Sequence, residues 1–239
     1  MEVNPYITAV VSAAGRGSRM GGDQNKMLLH LQGKTLLEHT LQALQGVGCI
    51  DHFVIVIRPE DEEEIAGEIL PQVFKSKEAY TTTYGGETRE DSTWQGLQAM
   101  PKQTTTVLYH DGARPFITKE VVDRTLEALA NSNADGVICV VPVKDTIKVI
   151  NAQKMVETTP NRANLVAVQT PQVFYKEALM NAYEKSRTEE VKTTDDAQIV
   201  ELFGGKILTV LGDYENIKIT TREDLLTGDL ILDSRKEKQ

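Results

Sequence analysis

VVSAAGRGSRMGGDQNK, residues Val10 to Lys26, is the stretch on which the reading of this chain turns. Its apolar start belongs to a run from Ile7 to Ser12 of mostly β-favouring residues, a buried strand feeding straight into a glycine-rich loop. Gly15, Gly17, Gly21 and Gly22 let the backbone come close to a ligand, and successive N–H groups in such a turn form a concavity that suits anions. Arg16, Arg19 and Lys26 add cations within the same loop, which points to a polyphosphate. Two familiar phosphate loops fail on counting. A P-loop needs lysine and a hydroxyl after the last glycine, but Gly22 is followed by Asp23 and Gln24; a dinucleotide fingerprint needs a third glycine where Met20 stands. Taken alone, the loop reads equally as a surface turn with solvated arginines.

Outward from the loop, Thr35-Leu36-Leu37-Glu38 is a capping box, and Leu37, Leu41 and Leu44 continue it at helical spacing. Phe53 to Ile57 is a second buried strand. Pro59 then suits a helix start, with the acidic turn Glu60 to Glu64 read as a solvated face without function. Tyr80 to Tyr84 reads as a strand ended by Gly85-Gly86, Asp91 to Met100 as a helix, and Val107 to His110 as a strand opening into His110-Asp111-Gly112-Ala113-Arg114-Pro115. A helix from Lys119 to Ala130 and a strand from Val137 to Val141 follow. Strands alternating with helices predict an α/β, doubly wound, mostly parallel Rossmann-like sheet covered on both faces. Ligands in such sheets collect beyond the carboxyl ends of the strands, so the glycine loop, Gly85-Gly86 and Asp111 to Arg114 can share one crevice.

From Asp145 to Gln169 the pattern changes. Thr146 to Ile150 and Leu165 to Val168 read as strands around a polar excursion, which predicts a protruding β-arm at about 145–170. Its open edges and apolar surface call for a second subunit, so a homodimer is expected. Helices are predicted at Tyr175 to Ser186 and Asp195 to Phe203, with Thr194 as cap of the second. Strands are predicted at Ile207 to Leu211 and Ile217 to Ile219, then a helix capped by Thr221 through Leu232 and a frayed basic tail. The whole, 1–239, is expected to form one domain.

Composition narrows the function. The 239 residues, 40% hydrophobic, suffice for one sizeable core, and a formal charge of −9 argues against a nucleic-acid coat or a membrane-surface protein. Cys49 and Cys139 belong to no metal or disulfide spacing, and MEVNPYITAVV lacks the pattern of a signal peptide; a soluble cytoplasmic protein is the expectation. His30, His39, His52 and His110 form no ligand spacing, and no nucleophile arrangement is legible. If a nucleoside triphosphate lies on the glycine loop, Arg19 and Lys26 can stabilise charge as the α-phosphorus is attacked. Magnesium (Mg2+) would complete the charge balance, with Asp111, just past a strand end, as its protein neighbour; the alternative for Asp111 and for Arg114 is a loop-stabilising turn residue. An acceptor that brings its own phosphate needs cations to hold it in line, not an enzymic nucleophile. Arg162 and Lys218, taken alone, are ordinary surface cations.

Taken in order, VVSAAGRGSRM with Lys26, GGETREDS at 85–92, HDGARPF at 110–116, PVKDTIK at 142–148, QTPQVF at 169–174, TTDDA at 193–197 and NIKIT at 216–220 resemble the 2-C-methyl-D-erythritol 4-phosphate cytidylyltransferase family of the non-mevalonate isoprenoid route. The resemblance implies attack of the methylerythritol phosphate on the α-phosphate of CTP, giving the cytidine diphosphate alcohol and pyrophosphate. It implies transition-state stabilisation by Arg19 and Lys26, and positioning of the acceptor phosphate by Arg162 and Lys218. Ala13, Ala14, Gly15, Gly17, Gly86, Ser92, Asp111 and Gly112 match nucleotide-side positions; Asp111, Arg114, Thr146, Thr170 and Thr194 match substrate-side ones. It also implies a homodimer whose arm reaches the neighbour's site, so that Arg162 acts in trans. This chain departs from the family's common proline and glutamine around the loop lysine with Asn25 and Met27, and from a frequent alanine with Gly112, a minor change.

The rival is ribitol 5-phosphate cytidylyltransferase, similar in the glycine, HD-x-x-RP and TPQ motifs; AAGRG and the alanine of HDGARP favour the methylerythritol enzyme. A nicotinamide-dependent oxidoreductase would need the missing third glycine and an acidic end to the second strand, where Ile57-Arg58-Pro59 stands. A non-catalytic nucleotide-binding regulator would have no need of Arg162 and Lys218.

Overall fold

The computed structural model describes residues 5–15, 25–189, 191 and 193–237. Arg16, Gly17, Arg19, Gly21 and Gly22, the heart of the glycine loop, lie outside the described residues. In chain order the elements run β1 (Ile7–Ser12), the short strands β2 (His30–Leu31) and β3 (Lys34–Thr35), α1 (Leu36–Val47), β4 (His52–Ile57), α2 (Leu70–Val73), β5 (Tyr80–Tyr84), α3 (Arg89–Gln98), β6 (Thr106–Asp111), α4 (Lys119–Ala130) and β7 (Gly136–Pro142). They continue with β8 (Val149–Ile150), β9 (Val156–Thr158), β10 (Val166–Tyr175), α5 (Lys176–Glu189), α6 (Asp196–Leu202), β11 (Ile207–Leu211) and α7 (Arg222–Glu237).

Seven strands form one sheet in the order β11-β7-β10-β6-β1-β4-β5. All neighbours are parallel except β10, which runs antiparallel between β6 and β7. Period-two alternation sorts the strand residues onto two faces. Ala9, Val11, Phe53, Ile55 and Ile57 pack with Leu37, Leu41 and Leu44 of α1 and Val121 and Val122 of α4. Val10, Val54 and Val56 pack on the other face with Leu97 of α3, Leu179 and Tyr183 of α5 and Ile199 of α6. A smaller cluster of Leu31, Leu36, Phe116 and Ile219 carries α7 through Leu225, Ile231 and Leu232.

The chain passes from β1 to β4 and β5 on one side, then returns to place β6 on the other side of β1. That reversal opens a crevice beyond the carboxyl ends of β1 and β6. Ser12 and Asp111, the last residues of these strands, stand opposite each other in register.

Several expectations are corrected. The arm hairpin pairs β8 with β9, placing its second strand in the excursion read as polar. Leu165 to Val168 instead leads into β10, whose register shifts between Val168 and Gln172, around the proline that hid a strand of the main sheet. Ile217 to Ile219 is not a strand: it is tied to the loop after β6 by Ile219 N–H donating to the Ala113 carbonyl at 2.8 Å. Asp195, not Thr194, caps α6, accepting from Gln198 N–H at 2.9 Å. The tail continues α7 to Glu237, where Arg235 donates to the Phe116 carbonyl and Glu215. Helix α3 begins at Arg89 with Thr88 as its cap, two residues before the predicted start. The acidic turn is not wholly solvated either, because Asp61 is buried.

Candidate active site

Two clefts adjoin at the sheet's carboxyl edge. The first, of about 260 Å³, is lined by Ala14, Gly15, Lys26, Gly86, Ser92 and Asp111 among others, with Tyr109 on its wall. The second, of about 250 Å³, gathers Asp111, Arg114, Thr170, Thr194 and Lys218 with Gln169. Asp111, Arg89 and Lys218 belong to both, so the two spaces meet at these side chains. The predicted nucleotide-side and acceptor-side residues thus fall largely into adjacent halves of one crevice.

Local sequence explains each placement. Gly85 N–H continues the ladder to the Ile57 carbonyl at 2.9 Å, and a Cβ at Gly85 would stand 2.7 Å from both the Ala14 Cβ and the Ser92 Oγ. Only glycine lets this loop close on the nucleotide-side wall. Ser92 Oγ accepts from Gly86 N–H at 3.1 Å, fixing the loop to the first turn of α3. Asp111 N–H donates to Thr170 Oγ1 at 3.1 Å, and the buried Asn216 donates through Nδ2 to the Thr170 carbonyl at 2.8 Å. Arg114 donates to the Asn216 carbonyl at 2.8 Å, so Lys218 is carried in by a segment held on both sides.

The electrostatic centre is Asp111. Lys218 Nζ lies 2.9 Å and Arg114 Nε 3.3 Å from its Oδ2. Burial alone would raise the carboxyl, but the two cations outweigh it and bring it down to about 2. Next to it His110 is buried, with Nε2–H donating to the Arg114 carbonyl at 3.1 Å and Nδ1 without a partner among the described residues. Burial drives its imidazole down to about 4, so it stays neutral, in keeping with a structural role. Burial pushes the Tyr109 hydroxyl up to about 12.

Arg89 was missed as a site residue, although GGETREDS contains it. Its signal was the hydroxyl-x-x-carboxylate pattern of Thr88 and Asp91, which starts the helix early enough to turn Arg89 inward. It bridges the wholly buried Asp196 at 2.5 Å, and Tyr183 donates to the same carboxylate. Its guanidinium carbon lies 5.4 Å from the centre of the Tyr109 ring.

Four expected residues stand elsewhere. Ala13 is buried in the core, with its N–H on the Val56 carbonyl at 2.8 Å. Gly112 is buried behind the cleft, where a Cβ would come 2.8 Å from the Ser12 carbonyl, so the change from alanine is not minor in this geometry. Thr146 is exposed on the arm. Arg162 lies on the arm in a separate cleft with Tyr214 and donates to the Lys144 carbonyl at 2.7 Å; among the described residues it lines neither of the two clefts that hold Asp111 and Lys218 of its own chain.

As a magnesium neighbour, Asp111 offers one carboxylate held ionised. Among the described residues no three His, Cys, Asp or Glu side chains come together as a metal cluster. That donor set fits an ion held chiefly by phosphate oxygens and water, with a single protein carboxylate.

Comparison with known proteins agrees across almost the whole chain. The family model described as 2-C-methyl-D-erythritol 4-phosphate cytidylyltransferase matches residues 7–234. A relative of that name from Alkaliphilus metalliredigens is 43% identical over 237 residues, covering 99% of this chain and 97% of the relative. One from Microcystis aeruginosa is 43% identical over 226 residues, covering 95% of this chain and 98% of the relative. The crystal structure of 4-diphosphocytidyl-2C-methyl-D-erythritol synthase from Anaerococcus prevotii superposes with a TM-score of 0.83 at 38% identity, over 96% of this chain and 99% of that one.

Proposed function

The chain belongs to the 2-C-methyl-D-erythritol 4-phosphate cytidylyltransferase family, and from that premise we propose how its crevice transfers a cytidylyl group from CTP to the phosphate of methylerythritol phosphate. The products are 4-diphosphocytidyl-2-C-methyl-D-erythritol and pyrophosphate. CTP occupies the first cleft, with its base side against Gly86 and Ser92 and its triphosphate toward Lys26. The acceptor occupies the second, its phosphate held by Lys218 and Arg114 and its hydroxyls within reach of Thr170 and Thr194. Asp111 stands between them.

A phosphate oxygen of the acceptor attacks the α-phosphorus, a new P–O bond forms, and the bond to the β-phosphate bridging oxygen breaks as pyrophosphate leaves. The attacking oxygen is already anionic near neutrality, so no side chain must take its proton. Lys26 stabilises charge that grows on the transferring group and leaving phosphate, and Arg19 shares this role in the reading. Asp111, ionised at every physiological pH, holds the Lys218 and Arg114 side chains in place. Magnesium, when bound through Asp111 and the phosphates, supplies further charge neutralisation and fixes their geometry.

A homodimer completes the reading. Val149, Ile150, Met155 and Val156 leave the arm apolar and exposed, and a two-strand hairpin of this length needs cover to be stable. The partner's crevice then gives Arg162 its place at the acceptor phosphate. A cytoplasmic setting accords with the unbonded Cys49 and Cys139; no described helix is long and apolar enough to cross a membrane.

The meeting of the two clefts at the Asp111–Lys218 pair is the observation that carries this reading. Lys218→Gln tests it. Hydrogen bonds to charged groups contribute about 1.5–3 kcal/mol, so the acceptor KM should rise about 10- to 100-fold with little change in the CTP KM. An equal rise for both substrates would show that Lys218 does not divide the crevice in this way.

A further inference from the structure

Asn25, directly before Lys26, is wholly buried, and its side chain is engaged at both ends. Its Nδ2 donates to the Ala13 carbonyl at 3.0 Å and to Asp61 Oδ2 at 2.6 Å, and its Oδ1 accepts from Met27 N–H at 3.0 Å. Its own carbonyl accepts from Leu28 N–H at 3.0 Å, closing the 3-10 turn Lys26–Leu28. Each partner is fixed in turn. Ala13 follows β1 and is bound to Val56 of β4. Asp61 follows β4 and receives both arms of Arg58, at 2.6 and 2.7 Å.

Burial alone would raise the Asp61 carboxyl, but the Arg58 guanidinium and the Asn25 amide outweigh it and hold it below the usual carboxylate range. Asp61 therefore presents a full charge to the amide, and a hydrogen bond to a charged group is among the stronger ones. The backbone of Asn25 sits at φ −63°, the value a proline ring would impose, without a ring to hold it there. Met27 and Leu28 are buried, and Lys26 lines the nucleotide-side cleft together with Met27. The base of the lysine is thus bolted to the ends of two adjacent strands.

We propose that Asn25 is a positioning residue for cytidylyl transfer, aiming Lys26 at the triphosphate through its link to Asp61 and Arg58. This rests on the reading of Lys26 as a transition-state group. Misplacing such a group by about 1 Å costs on the order of 100-fold in rate. A residue that acts only through Lys26 has nothing to act on once the amine is gone, and the two losses then fail to add.

The test is a cycle of Asn25→Ala, Lys26→Ala and the double variant, scored by pyrophosphate release with CTP, magnesium and methylerythritol phosphate. Thermal melts confirm folding. Asn25→Asp is the second probe: it keeps the size and the acceptor for Met27 N–H, but sets a carboxylate against Asp61. Either Asn25 change should lower kcat about 10- to 100-fold with the CTP KM within about 3-fold, yet lower it less than about 3-fold on the Lys26→Ala background. Unchanged kcat in folded Asn25 variants, or full additivity with Lys26→Ala, overturns the proposal alone. Normal turnover by Lys26→Ala overturns both the proposal and the reading of Lys26. If neither Asn25 variant folds, Asn25 is a structural residue and the proposal falls.

Discussion

His110 gives the sharpest link between the crevice and a measurable free energy. Protonation must occur at Nδ1, which has no partner among the described residues, and would place charge beside Arg114 and Lys218, opposed by the bond to the Arg114 carbonyl and by Asp111. Burial is the largest cause and holds the folded imidazole at about 4, against an ordinary 6.5. Between those values the unfolded chain binds a proton that the folded chain refuses, so stability from this group is full above 6.5 and is lost as pH falls toward about 4. At about 1.4 kcal/mol per pH unit, acidification from about pH 7 to 5 should remove about 2 kcal/mol of unfolding free energy through His110 alone. The Asp111 contribution has a lower window: it is present above 3.8 and is lost as pH falls through about 2. Burial lowers His52 as well, so it acts in the same sense, but it is common to both proteins when wild type is compared with His110→Gln. Urea unfolding at several pH values should therefore give a slope about 2 kcal/mol shallower for His110→Gln across that interval. Coincident slopes would refute the assignment of a buried neutral imidazole.

Two other outcomes follow from the same geometry. Arg89→Met strands the buried Asp196 carboxylate and should cost about 3 kcal/mol in chemical denaturation, part of which returns on adding Asp196→Asn; a single variant as stable as wild type would mean that the pair contributes nothing. Ile150→Asp puts a charge on the exposed apolar face of the arm and should shift sedimentation from a two-chain to a one-chain species, with loss of turnover, whereas an unchanged dimer would move the interface elsewhere.

What could be read from the sequence depended on how local the cause was. Ile7–Ser12, Tyr80–Tyr84, Lys119–Ala130 and Ile207–Leu211 have the predicted limits because each is a periodic run bounded by a turn or cap. The expected strand Leu165 to Val168 covers only the start of β10, because the sheet absorbs Pro171 at a change of register that no simple alternation announces. Asp61 looked like one of several solvated acids, and only its meeting with Arg58 and Asn25 shows otherwise. That contact also answers how this chain carries Lys26 without proline, a question local patterning left open. Lys218 had no signal beyond the resemblance of NIKIT, since its position depends on Ile219 docking onto the loop after β6 and on Asn216 reaching Thr170. Arg89 was hidden by a helix start placed two residues late.

Whether this crevice joins CTP to methylerythritol phosphate is decided by an acceptor comparison. Purified protein with CTP and magnesium should release pyrophosphate and form the cytidine diphosphate alcohol with methylerythritol phosphate, and should do neither at a comparable rate with ribitol 5-phosphate. Turnover confined to ribitol 5-phosphate, or absent with both, would contradict the proposed transfer.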